Sequence, residues 1–150
     1  MQEDSVIIYT DGACSGNPGV GGWGVVMFYK EHCKELFGGE ENTTNNKMEL
    51  TAVIQALSIL KRECKVKLYT DSVYVKEGIT NWIFSWKKNN WRTSTKQEVK
   101  NKELWQKIDE LTKQHKIEWF WVKGHNDNEY NEKADELARK GIAEIRNNKN

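Results

Sequence analysis

The 150-residue chain has one proline, three cysteines and three histidines. It has no apolar run near the ~20 residues that a membrane-spanning helix requires, and its mean hydropathy is −0.82. Cys14, Cys33 and Cys64 are odd in number, far apart and without a Cys-x-x-Cys pair. They read as reduced thiols of a cytoplasmic protein rather than as a disulfide frame or a zinc site. The acidic, polar start Met1-Gln2-Glu3-Asp4-Ser5 excludes a secretory signal. Net charge is also nearly absent: 23 Lys and Arg face 22 Asp and Glu, so the whole chain is no polycation. What it does have is seven Trp, five Tyr and four Phe, too many aromatics for a disordered chain. Its length fits one domain over 1–150, with a core of about 5–143 and a frayed tail over 146–150.

The balanced charge conceals a dipole. Residues 81–102 carry Lys87, Lys88, Arg92, Lys96, Lys100 and Lys102 against Glu98 alone, a local charge of +5. Trp82, Trp86 and Trp91 lie in the same stretch. Cations interleaved with flat rings suit a polyanion that also offers sugar or base faces. A solvated helix-loop with its tryptophans turned into the core would look the same in sequence.

Periodicity gives an α/β chain. Strands are expected at 5–10, 23–29, 32–38, 66–70 and 117–122. Helices are expected at about 46–61, from Asp71-Ser72 to near Gly78, at about 101–114, and after an Asn126-Asp127-Asn128 cap. That order implies a mixed five-stranded sheet flanked by helices, with right-handed parallel crossovers. The run Gly19-Val20-Gly21-Gly22-Trp23-Gly24 matches G-x-G-x-x-G but leads into a strand, not a helix, so it is no dinucleotide fingerprint. Its glycines read as a tight turn with backbone amides close to a ligand.

Two strands end alike, in Tyr9-Thr10-Asp11 and Tyr69-Thr70-Asp71. If they are parallel neighbours, both aspartates emerge at the carboxyl edge where open α/β sheets bind ligands. Carboxylates held that close repel unless a cation joins them, and Mg²⁺ suits an oxygen-only set completed by a substrate phosphate. The competing reading is that each aspartate caps the element after it. Glu49 falls in the first turn of the 46–61 helix, where the helix dipole favours an acid. Asp135 sits inside the last helix beside its apolar face, with Asn131 one turn earlier. His125 lies in a polar loop after the fifth strand, able to move a proton near neutral pH.

Taken together, the residues resemble a family. Asp11-Gly12 with Gly16-Asn17-Pro18-Gly19, Thr44-Asn45-Asn46 with Met48-Glu49-Leu50, Thr70-Asp71-Ser72, Val122-Lys123-Gly124-His125 and Asn131-x-x-Ala134-Asp135-x-Leu137-Ala138 look like bacterial type 1 ribonuclease H. The motifs are collinear over about residues 5–143, and the basic tryptophan segment resembles that family's handle. The resemblance implies a ribonuclease H-like fold and an endonuclease that hydrolyses the RNA strand of RNA–DNA hybrids, leaving 5′-phosphate and 3′-hydroxyl ends. Asp11, Glu49, Asp71 and Asp135 would hold two Mg²⁺ ions, with Mn²⁺ as a substitute, and His125 would assist proton transfer or product release. Substrate contacts would come from Cys14, Asn17, Thr44, Asn45, Asn46, Trp82, Trp86, Lys87, Lys88 and Asn131. No membrane or protein partner is implied, and a monomer is expected. Two departures stand out: Val73 replaces a frequent glutamine, and the loop 126–130 lacks the usual Gly and Pro. A non-catalytic binding module on the same fold would lack one of the acids. A DNA-directed nuclease or integrase would share the two strand aspartates but not the handle.

Overall fold

A computed structural model describes residues 5–123 and 129–148. Five strands form one sheet in the order β3-β2-β1-β4-β5. These are β1 (Ser5–Ser15), β2 (Gly19–Tyr29), β3 (His32–Thr43), β4 (Lys65–Thr70) and β5 (Lys116–Trp121). β1, β2 and β3 are antiparallel, and β4 and β5 join parallel to β1. The mixed sheet expected from the element order is therefore the one observed.

Helix α1 (Asn45–Ser58) and helix α4 (Lys102–Gln114) cover one face. Alternate strand residues Val6, Ile8, Val66 and Leu68 meet Leu50, Val53, Leu57, Trp105 and Ile108 there in the main core. Helix α5 (Glu129–Asn147) packs on the other face against β1, β2 and β3, where Tyr9, Val26, Ala134 and Leu137 form a smaller cluster. Thr44 caps α1, its hydroxyl accepting from Lys47 N–H at 3.2 Å, as the Thr43-Thr44-Asn45-Asn46 run predicts.

Several boundaries differ from expectation, each for a tertiary reason. β1 does not end at Asp11 but runs on to Ser15, because its second half pairs with the glycine-rich run. That run is not a turn against a ligand: Gly19–Gly24 belongs to β2, and Gly22 and Gly24 make room for α5. A Cβ on Gly22 would lie 2.0 Å from the Ala138 carbonyl oxygen, and one on Gly24 would lie 2.2 Å from that of Ala134. β3 reaches Thr43, past the expected end at residue 38, as a largely exposed edge strand whose polarity hid it.

The short helix after Ser72 does not stop at Gly78. α2 (Val73–Glu77) runs through a wide π-type turn (Gly78–Trp82) into α3 (Ile83–Lys88), with Gly78 packed against the Trp105 ring. Tyr74 ties this arm to the body: its hydroxyl oxygen accepts from Asn101 Nδ2 and Trp105 Nε1, both at 3.1 Å. At the start of the 146–150 tail, α5 includes Arg146 and Asn147, and the Arg146 guanidinium donates to the Ser15 hydroxyl. Among the described residues, no helix is long and apolar enough to cross a membrane.

Candidate active site

β1 and β4 are parallel neighbours with Tyr9 opposite Tyr69. The rings of that pair stack at 4.7 Å. Two residues further along each chain, Asp11 and Asp71 come together at the same edge. Neither serves as the cap of the following element. β1 continues past Asp11, and α2 is capped by Ser72, whose hydroxyl accepts from Val75 N–H at 3.1 Å. Thr70 Oγ1 accepts from Ser72 N–H at 3.1 Å, which fixes the chain on the far side of Asp71.

Glu49 is not in the first turn of α1. The helix begins at Asn45, and no acid occupies its first turn. Glu49 is further in, on the buried side, where a helix-dipole role gives way to proximity. α1 comes so close to β1 at this point that a Cβ on Gly12 would lie 2.5 Å from Glu49 N and from Met48 C. Only a glycine lets the helix rest there. Carboxylate oxygens of Asp11, Glu49 and Asp71 consequently lie within 4.8 Å of one another.

Asp11 and Glu49 are each only 6% exposed. Burial, then the charges of Asp71 and Asp135, push the Asp11 pKa up to about 8, against a smaller opposite pull from the Gly12 N–H. That N–H donates to Asp11 Oδ1 at 3.0 Å. Burial, followed by Asp11 and Asp71, raises Glu49 well above the ordinary glutamate range. Glu49 Oε2 is buried without a hydrogen-bond partner. A crowded, oxygen-only, partly orphaned set of this kind fits a hard divalent cation, whose charge would relieve the repulsion between the acids.

Asp135 approaches from α5, within hydrogen-bonding reach of Asp11, but outside the mutually close set of three. Its Oδ2 accepts from Arg139 Nη2 at 3.0 Å. Asn131 is buried one turn earlier on the same helix. His125, and the Asn126-Asp127-Asn128 cap, lie outside the described residues.

The expected substrate contacts fall into two groups. Asn17 Oδ1 accepts from Asn45 N–H at 3.2 Å, and Cys14 Sγ lies 3.4 Å from the Thr43 carbonyl oxygen. The β1–β2 connection and the start of α1, with Thr44, Asn45 and Asn46, thus form one rim beside the acids. The second group is the arm. Trp82 is 37% exposed and meets Tyr74 and Trp86 through its ring. Trp86 is half-buried between Trp82, Trp91 and Trp105, so Trp82 stays open to solvent while Trp86 turns toward the core. Lys88 is exposed, while Lys87 pairs with Asp109 at 3.3 Å. Val73 is 69% exposed. The sequence reading missed Tyr74, whose role needs α4, and Arg139, whose acid-to-arginine spacing of four on a helix was a visible signal.

The RNase H family model matches residues 3–143. A protein named Ribonuclease H from Wolbachia pipientis wMel is 59% identical over 142 residues, 95% of this chain and 98% of that one. The solved structure of LC9-RNase H1, described as a type 1 RNase H with the type 2 active-site motif, is 30% identical with a TM-score of 0.84, over 95% of this chain and 74% of that one. LC11-RNase H1, solved in complex with RNA/DNA hybrid, is 25% identical with a TM-score of 0.68, over 94% and 99%. With the family model and these likenesses spanning nearly the whole chain, on a sheet that gathers acids at one edge, the chain belongs to the ribonuclease H family and is a nuclease, a hydrolase of phosphodiester bonds.

Proposed function

We propose that the protein is an endonuclease that hydrolyses the RNA strand of RNA–DNA hybrids and leaves 5′-phosphate and 3′-hydroxyl ends, acting as a single-domain monomer in the cytoplasm. The observation that carries this reading is the convergence of Asp11, Glu49 and Asp71 within 4.8 Å, with Asp135 beside Asp11. These four acids would hold two divalent ions, Mg²⁺ by preference and Mn²⁺ as a substitute. Bound there, the ions would supply an activated water and stabilise charge on the attacking and leaving oxygens of an in-line displacement.

The remaining work falls to the protein's own groups. Burial and mutual repulsion keep Asp11 and Glu49 poised to exchange protons for cations. The rim of Cys14, Asn17, Asn45 and Asn46 faces the side where an RNA strand would present 2′-hydroxyls across a wide minor groove. Thr44 and Asn45, at the start of α1, would hold a phosphate of the DNA strand. Trp82 would pack on a deoxyribose that lacks the 2′-hydroxyl, with Trp86 behind it, and Lys87 and Lys88 would bind phosphates further out. Asn131 would orient substrate next to Asp135, and His125 would carry a proton at the departing product. The hybrid held by LC11-RNase H1 supports this choice of duplex.

The test is cleavage of labelled RNA–DNA, RNA–RNA and DNA–DNA duplexes with and without Mg²⁺. Only the RNA of the hybrid should be cut, and only with the metal. Asp71→Asn should abolish cutting while hybrid binding persists. Equal cutting of RNA–RNA, or turnover by the variant, would overturn the assignment.

A further inference from the structure

α5 presents four basic side chains near the sheet, and three are engaged away from the acids. Lys133 lies between Glu35 and Glu136, Lys140 sits over the Phe37 ring, and Arg146 bonds Ser15. Arg139 differs. Among the ion pairs of the described residues, it supplies the only cation on any of the four acids, at 3.0 Å from Asp135 Oδ2. Asp135 is also the acid that stands outside the tight group of Asp11, Glu49 and Asp71. We infer that Arg139 is a competing counter-charge, which occupies an oxygen of Asp135 in the ion-free enzyme and so weakens the site's affinity for divalent cations.

The inference rests on the metal reading proposed above. Two effects act in the same direction. Arg139 occupies an oxygen that a cation would use, and its own positive charge repels a cation arriving nearby. Asp135 therefore joins the site by exchanging Arg139 for the ion, and Arg139 is a positioning residue rather than a catalytic one. The Arg139 side chain is 66% exposed, so replacing it disturbs no core packing. An ion pair this open to solvent sets the scale at about a two- to fivefold change in affinity.

The test is calorimetric titration of Mg²⁺ into the substrate-free protein. Arg139→Gln should bind Mg²⁺ about two- to fivefold more tightly than the parent, and Arg139→Lys, which keeps the charge, should stay near the parent. In an Asp135→Asn background, Arg139→Gln should gain less, because only the through-space repulsion is then relieved. Unchanged or weaker binding in Arg139→Gln, or an undiminished gain in the Asp135→Asn background, would overturn the inference while leaving the metal reading intact. A parent protein that takes up no Mg²⁺ at all would overturn both.

Discussion

Removing one buried acid should change how the metal-free protein responds to pH. Asp11 titrates near 8 in the folded state against 3.8 for the unperturbed group, with burial the largest cause. A carboxyl whose folded pKa is raised keeps a proton that the unfolded chain has already released. Its folded state is then unpenalised below the unfolded pKa and loses stability as pH rises toward the folded one. One such proton gives a slope of about −1.4 kcal/mol per pH unit inside that window, so roughly 3 kcal/mol should be lost between pH 5 and pH 7. In the Asp11→Asn variant the new amide would fill the same space and still accept from Gly12 N–H, but it carries no titrating group. Urea unfolding of the parent and of Asp11→Asn in a chelator, at several pH values across this range, should therefore show the variant gaining steadily on the parent. Saturating Mg²⁺ should close most of the gap that opens between pH 5 and pH 7, because an ion bound only by the folded parent adds about 2.7 kcal/mol at a hundred times its Kd. Parallel stability profiles for the two proteins would refute the raised pKa that burial and the neighbouring acids give Asp11 in the folded chain.

Two further outcomes follow from packing and from charge. Gly24→Ala would set a methyl 2.2 Å from the Ala134 carbonyl oxygen and 2.8 Å from Ala138 N; backbone cannot swing aside, so unfolding should show a loss of at least about 2 kcal/mol, and a variant as stable as the parent would refute the contact. Replacing Lys87 and Lys88 by Ala should weaken hybrid binding and flatten its dependence on salt, measured by fluorescence titration at several ionic strengths. Because Lys87 is already paired with Asp109, the slope should fall by closer to one phosphate contact than two, and an unchanged slope would remove the arm from the interface.

How much of this is legible in the sequence depends on whether the cause is local. The repeated Tyr-Thr-Asp ending gives both aspartates their edge, because strand periodicity and the order of elements already imply parallel neighbours. The Thr44 cap and the apolar stripe of α1 are equally local. Periodicity alone puts Glu49 in the first turn and credits the helix dipole, when its position is set by contact with Gly12. Residues 19–22, ahead of the strand expected at 23–29, carry little strand signal of their own, since glycine is a poor strand former. The run Gly19–Gly24 becomes a strand by pairing with β1 and β3, and Gly22 and Gly24 within it leave room for α5, which comes roughly a hundred residues later in the chain. The extension of the arm through Gly78 likewise needs the Trp105 ring, and the pairing of Lys87 needs Asp109.

These differences share a physical origin that bears on catalysis. Asp11 and Asp71 belong to the strand edge, Glu49 and Asp135 to helices, and like charges do not gather unaided. Each acid-bearing helix is brought in at a point where a strand lacks a side chain. Gly12 lets Glu49 of α1 close on Asp11, while Gly22 and Gly24 let α5 descend with Ala134 and Ala138, so that Asp135 arrives beside Asp11. The main core and the α5 cluster then oppose the repulsion between the acids. The glycines that resemble a ligand-facing turn in sequence are the spacers that set the distances within the site, so enlarging them should disturb metal binding even where no acid has been touched.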